Sequence, residues 1–354
     1  MTADETAVDR LVDERALREY LTAAVGPAAS LAIERLGEGH SNETLIVEWG
    51  NRELVLRRPP AGETAQTAHD VLREHRIIDA LADTEVPTPT PVAACEDRSV
   101  IGSEFYLMDR LEGTVIREEE PDRFGEPDRR RRVAEELIDT LAAVHGVDYE
   151  AAGLGDLGRP EGFLERQIDR WGSQFEWAHG TTAVGRSVPH VEEVRTWLES
   201  NVPESSEHAL IHGDYKLDNV MYGPGPEPEL IAVMDWEIST IGDPLRDIGW
   251  LCCFWETDPL IEGLMPTFLD RPGYPDLKTL LERYERRSGI EIADLDFYVV
   301  LGLYMLTAVG EMFYARYRKG DSEDPLYPRM ETLVPDVSRR AKAIIDGERS
   351  IGFE

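Results

Sequence analysis

At 354 residues, of which 42% are hydrophobic, the chain can form one large domain or two ordinary ones and can bury a real core, so disorder is not its default state. Its 70 acidic residues against 37 basic ones leave a formal charge of −33 and a pI near 4.6, a surface that repels phosphates and disfavours nucleic-acid binding. The cysteines are Cys95 and the neighbours Cys252 and Cys253, which make neither a disulfide framework nor a Cys-x-x-Cys metal site.

The acidic N-terminus lacks the apolar run of a secretory signal. The longest uncharged apolar stretch, residues 297–310, falls short of the ~20 residues that span a bilayer, and Glu311 and Arg316 follow it. A buried helix, a cytoplasmic location and no membrane partner are therefore expected. Lysine occurs only at Lys216, Lys278, Lys319 and Lys342. Acid excess with scarce lysine suits a salt-rich cytoplasm such as that of a haloarchaeon, where a Debye length of about 3 Å at 1 M salt screens self-repulsion.

In chain order, residues 9–25 place apolar side chains at helical spacing and stop at Gly26-Pro27. β-like segments follow over 31–49, around a glycine turn, and over 53–58, halted by Pro59-Pro60. Residues 67–82 read as a helix. Pro87, Pro89 and Pro91 enforce an extended passage, and strand character resumes over 99–111. The remainder is mainly helical, over 129–145, 161–177, 190–200, 276–287 and 294–318. One β-hairpin interrupts it, with strands 219–222 and 229–235 joined by a Gly/Pro-rich turn. The expectation is an α+β chain of two lobes with a cleft between them: a small β-rich lobe over 1–110 and a larger helical lobe over 111–354.

The most informative segment is Ile211-His-Gly-Asp-Tyr-Lys-Leu-Asp-Asn-Val220, followed by the hairpin and by Met234-Asp-Trp-Glu237. Phosphoryl transfer needs a carboxylate to orient a hydroxyl and accept its proton, and hard oxygens to hold Mg²⁺ against phosphates. Asp214 and Asn219 have the five-residue spacing of a kinase catalytic loop, in which Asp is the base and Asn a metal ligand. The hairpin then returns the chain so that Asp235 supplies a second metal ligand.

His212-Gly-Asp214, Asn219, Asp235-Trp236 and the downstream Gly242-Asp-Pro-Leu-Arg-Asp247 resemble the aminoglycoside phosphotransferase and choline kinase family, and within it the kinase-like domain fused to some acyl-CoA dehydrogenases. The resemblance covers residues 30–255, with helical continuation to about 345, and implies a protein-kinase-like fold that uses ATP and Mg²⁺. It places a phosphate-binding basic residue at Arg57, where a protein kinase has lysine, held by Glu74. Arg58 is the alternative if the register slips by one. The glycine-rich loop 36–44, with Gly37, Gly39, Ser41 and Asn42, is positioned to cover phosphate oxygens. Residues 105–113 resemble the kinase hinge, with Met108 walling the adenine pocket and adenine read at the Asp109 carbonyl and the Leu111 amide.

Lys216, two residues after the base in a lysine-poor chain, is positioned to neutralise charge on the transferring group. His212 reads as structural, Asp243 and Asp247 as braces, and Asp218 as facing solvent or capping a turn. Candidate acceptor-lining residues are Trp171, Phe175, Trp177, Trp255, Tyr304, Glu311 and Tyr314, several of them explained equally by core packing. The acceptor is expected to be a small-molecule hydroxyl, of hydroxyacyl, aminoglycoside or choline type. A protein kinase of the same fold and a non-catalytic nucleotide-binding module are the alternatives. The short passage from Asp235 to Gly242 leaves little room for the activation segment a protein kinase needs.

Overall fold

The computed structural model describes residues 11–36, 42–60, 70–182, 186–204, 207–256, 265–322 and 324–351. The chain divides into two compact units: residues 1–113 together with 231–238, and residues 114–230 together with 239–354.

The first unit is built on an antiparallel sheet in the order β1-β2-β3-β5-β4, made by β1 (Leu31–Arg35), β2 (Glu43–Trp49), β3 (Arg52–Arg58), β4 (Pro91–Cys95) and β5 (Phe105–Asp109). Alternation on β3 sorts its side chains: Leu54 and Leu56 enter the core with Leu45, Val47, Phe105 and Leu107, and Leu17 and Leu21 of α1 (Glu14–Ala24) cover them. The opposite face carries Arg57 and meets α2 (Val71–Leu81), which packs against β4 and β5. Each of these helices starts where an aspartate accepts a backbone N–H, Asp13 from Ala16 at 3.0 Å and Asp70 from Arg73 at 2.9 Å.

Two local expectations change here. The proline-rich passage does not stay merely extended: from Pro91 it becomes β4, an edge strand where a missing N–H is tolerated. The strand expected over 99–111 is confined to 105–109. Residues before it form a turn that needs Gly102, at φ 83°.

The second unit is helical: α3 (Pro127–His145), α4 (Phe163–Thr182), α5 (Val191–Ser200), α6 (Leu245–Phe254), α7 (Leu277–Ser288), α8 (Leu295–Lys319) and α9 (Met330–Ile345). Short strands β6 (Ala209–Ile211) and β9 (Thr240–Gly242) pair antiparallel and frame the loop that carries Asp214. Between β7 (Val220–Tyr222) and β8 (Leu230–Val233), the turn closes as Gly223 N–H donates to the Glu229 carbonyl at 2.9 Å.

α8 matches the helix expected over 294–318 to within a residue at each end; it is, by length and composition, sufficient to cross a bilayer, and 83% of its most apolar window is buried inside the fold. It packs against α4, α6 and α9. Its approach to α6 depends on glycine. A Cβ at Gly249 would collide with the Tyr298 carbonyl, and one at Gly302 would lie 2.8 Å from Cys253 Sγ.

Candidate active site

In the first unit, strand alternation resolves the choice between Arg57 and Arg58. Arg58 points into the opposite face, where its buried guanidinium donates to the carbonyls of Leu11 and Ile101. Arg57 lies beside Glu74, with Nε 3.3 Å from Oε2, and its Nη2 reaches Asp235 Oδ1 at 3.2 Å. Asp235 arrives there because residues 231–238 belong to this unit, where Val233 N–H donates to the Pro87 carbonyl at 2.8 Å. Asp235 is held at φ 66°, a left-handed conformation costly for a residue with a Cβ and typical of functional positions.

These contacts concentrate negative charge. Glu74, Asp235 and Glu237 all act on Arg57; burial works against its charge, but the carboxylates outweigh it and hold the guanidinium firmly protonated. Glu74 is fully buried and its carboxyl is pushed up to about 7, first by burial and then by Asp235 and Glu237, with Arg57 opposing. Among the described residues no group of three or more His, Cys, Asp or Glu side chains is placed to hold a metal ion by itself, so a divalent ion here would take its remaining ligands from phosphate and water. Sequence reasoning gave no role to Glu237. It accepts from Asn42 Nδ2 at 3.3 Å, and its carbonyl accepts from Arg73. Asn42 Oδ1 is buried with no hydrogen-bond partner among the described residues.

Gly37, Gly39 and Ser41 lie outside the described residues. Met108 and Asp109 are partly buried at the end of β5, and Leu111 follows it. The Asp109 side chain is occupied by Arg52 at 2.8 Å, which leaves backbone groups as the adenine-reading candidates on this segment.

In the second unit the loop after β6 brings Asp214, Lys216 and Asn219 together. Lys216 Nζ donates to Asp214 Oδ1 at 2.6 Å. Asn219 Nδ2 donates to Asp214 Oδ2 at 2.9 Å and to its carbonyl at 2.8 Å. With its nitrogen spent on Asp214, the side-chain oxygen of Asn219 is the atom available to a metal. Gly213, at φ 92°, supplies the left-handed turn before the base.

The loop is held from beneath. Asp247 accepts the amides of His212 at 2.7 Å and Gly213 at 3.0 Å, together with Arg246 at 3.0 Å and His145 at 3.4 Å. Burial would raise the Asp247 carboxyl, but His145, Arg246 and His212 hold it well below the usual carboxylate range. Arg246 also donates to the Gly213 carbonyl. His212 is fully buried and its Nδ1 accepts the Asp214 amide at 3.2 Å, a structural role. Asp243 braces a different place: it accepts from Leu245 N–H at 2.9 Å and from the Tyr298 hydroxyl at 2.7 Å, tying α6 to α8.

Other expectations are corrected. Asp218 is half-buried rather than solvent-facing; burial pushes its carboxyl up, with Lys216 and Arg117 opposing. Glu311 is fully buried among His179, Thr182 and Arg186, which also covers the ring of Tyr314 at 4.6 Å, so Glu311 and Tyr314 are core residues rather than acceptor lining. Trp177 is exposed beside Lys319. A residue absent from the sequence reading does touch the base: Trp250 on α6 donates its indole N–H to Asp214 Oδ1 at 2.8 Å. Only its distance along α6 from the Gly-Asp-Pro element hints at this.

The pattern of the phosphotransferase enzyme family matches residues 32–281. The chain belongs to that family. It is 33% identical over 322 residues to acyl-CoA dehydrogenase family member 11 of Gallus gallus, a match that covers 88% of this chain and 40% of that protein, so the chain spans less than half the length of this curated relative. A crystal structure from Ralstonia eutropha JMP134, assigned as an aminoglycoside phosphotransferase, superposes with a TM-score of 0.82 at 30% identity over 95% of this chain and 99% of that one. The GDP complex of aminoglycoside 2'-phosphotransferase-IIIa shares the fold, with a TM-score of 0.60 at 17% identity over 93% and 99% of the two chains. As a member of the phosphotransferase enzyme family, the chain has the α+β, protein-kinase-like fold, with a small antiparallel-sheet unit and a larger helical one.

Proposed function

We propose that this phosphotransferase moves the γ-phosphoryl group of ATP to a hydroxyl of a small molecule, with Mg²⁺. The observation that carries the reading is Asp214, a half-buried carboxylate held by Lys216 and Asn219 in a loop that Asp247 fixes through its backbone amides. A base held at one orientation meets the main demand of phosphoryl transfer, which is positioning.

Each residue then has a task. Asp214 orients the acceptor hydroxyl and takes its proton, and Lys216 balances charge that builds on the transferring group. Asn219 and Asp235 each offer a hard oxygen to Mg²⁺, which when bound neutralises phosphate charge. Arg57, oriented by Glu74, binds phosphate oxygens, and its fork permits two parallel bonds where lysine offers a point charge. Asn42 Oδ1, without a hydrogen-bond partner among the described residues, adds a buried polar atom beside Glu237. Met108, Asp109 and Leu111 form the adenine-reading segment.

The similarity to an acyl-CoA dehydrogenase family member favours a hydroxylated acyl group as acceptor over an aminoglycoside or choline. The test is incubation of chain, Mg²⁺ and ATP with a panel of hydroxyacyl thioesters, free hydroxy acids, aminoglycosides and choline, read by mass spectrometry. A phosphorylated hydroxyacyl product, absent with Asp214→Asn, supports the reading. Phosphate appearing only in protein would refute it in favour of a protein kinase.

A further inference from the structure

α6 meets the catalytic loop along one stripe. Residues three and four apart on a helix share a face, and Arg246, Asp247, Trp250 and Phe254 occupy that spacing. Asp247 takes the amides of His212 and Gly213, Arg246 takes the Gly213 carbonyl, and Trp250 takes the carboxylate of Asp214. Phe254 presents its ring to Lys216, with Nζ 5.3 Å from the centroid. The Arg246 guanidinium lies 5.5 Å from the Trp250 ring, and the Phe254 ring 5.2 Å, so the indole is gripped on its own helix. Trp250 is buried, and a buried indole N–H that found no acceptor would be costly.

Counting acceptor sites gives the bond a direction. An ionised carboxylate offers about four lone-pair positions, two on each oxygen. Oδ1 of Asp214 receives both Lys216 at 2.6 Å and Trp250 at 2.8 Å, which fill it. Oδ2 receives Asn219 at 2.9 Å and, among the described residues, keeps a position in reserve.

We infer that Trp250 is a positioning residue: its indole N–H locks the Asp214 carboxylate so that Oδ2, not Oδ1, receives the proton of the acceptor hydroxyl. This rests on the phosphotransferase reading above. In the step, the acceptor O–H bond breaks and its proton passes to Asp214 Oδ2. The acceptor oxygen forms the new O–P bond, and the bond from the γ-phosphorus to the bridging oxygen breaks, with its electron pair leaving on ADP. Without the indole donor Lys216 and Asn219 still hold the carboxylate, but Oδ1 regains an open position that competes with Oδ2 for the acceptor proton.

The experiment has two arms, neither of which needs the natural acceptor. In the first, the Trp250 indole resonance is assigned in a proton–nitrogen correlation spectrum by its loss in Trp250→Phe, and followed into Asp214→Asn. Bonding to a carboxylate places it downfield, and replacing the charged acceptor with a neutral amide moves it upfield; an unmoved resonance overturns the inference. The second arm measures MgATP turnover with water as acceptor, alongside affinity for a non-hydrolysable ATP analogue. A hydrogen bond to a charged group corresponds to roughly a 10- to 100-fold effect, so Trp250→Phe should lose that factor in turnover with nucleotide affinity unchanged. Trp250→His, which restores an N–H, should recover part of it. Wild-type turnover in Trp250→Phe, parallel loss of nucleotide binding, or a histidine variant no better than phenylalanine would each overturn the inference. Absence of water turnover in the wild-type chain would leave the phosphotransferase reading to the acceptor panel above, and the spectrum would still decide whether the bond exists.

Discussion

Asp247 shows how one buried side chain sets the shape of a loop three strands away in sequence. It accepts two consecutive amides with charged donors beside it, and an ionised carboxylate does this with acceptors alone. Asparagine would turn a donor toward one of those amides. Asp247→Asn should therefore destabilise the fold by about 3–5 kcal/mol, the range for breaking a buried ion pair, measured by chemical denaturation. The pH dependence follows in sign. The folded carboxyl lies below its unfolded value of about 3.9, so the stabilisation is complete above that pH and is lost as pH falls through the folded value. Loss of stability below pH ~4 should be shallower in the variant; equal slopes would remove Asp247 from the account. At this scale the sequence was informative wherever spacing carried the chemistry. Asp214, Lys216 and Asn219 lie within one short loop, and two-residue alternation on β3 separates Arg57 from Arg58. Trp250 and Glu237 escaped because their roles come from a helix face and a loop end meeting distant residues.

Among the elements, α6 joins the site to the core. Its sequence gives little sign of a helix, since Leu245–Phe254 is buried on every side and apolar on nearly all. β6 and β9 are three residues each, too short for alternation to register. α3, α4, α5, α7 and α8 were legible to within a few residues because each has one polar face, as in α7, or a long apolar run, as in α8, whereas α9 was not predicted as an element. Packing explains why glycine stands at 249, where α6 passes the backbone of Tyr298 with no space for a methyl group. Gly249→Ala should cost about 1–3 kcal/mol or more, because the obstructing atoms are backbone and cannot rotate away. Turnover should fall in parallel, since α6 also carries Asp247 and Trp250. A thermal melt unchanged from wild type would contradict this packing.

For the whole molecule the dominant quantity is charge. A formal charge of −33 opposes any compact state, and screening by salt relieves that opposition. At constant pH the melting temperature should rise as KCl increases from about 0.1 to 1 M, where the Debye length contracts from about 10 to 3 Å. A melting temperature indifferent to salt would mean that the acidic surface carries no stability cost. The same acidity deprived the sequence of one clue: with carboxylates throughout, an acidic acceptor pocket does not stand out.

The central claim is that Asp214 is the base of a phosphoryl transfer from ATP. It is tested most directly by comparing Asp214→Asn with wild type in single-turnover transfer from labelled MgATP, alongside calorimetric nucleotide affinity. Transfer should fall by roughly 10²–10⁴-fold, the usual contribution of a general base, with affinity retained because the phosphate-binding residues are untouched. Undiminished transfer by Asp214→Asn would contradict the account.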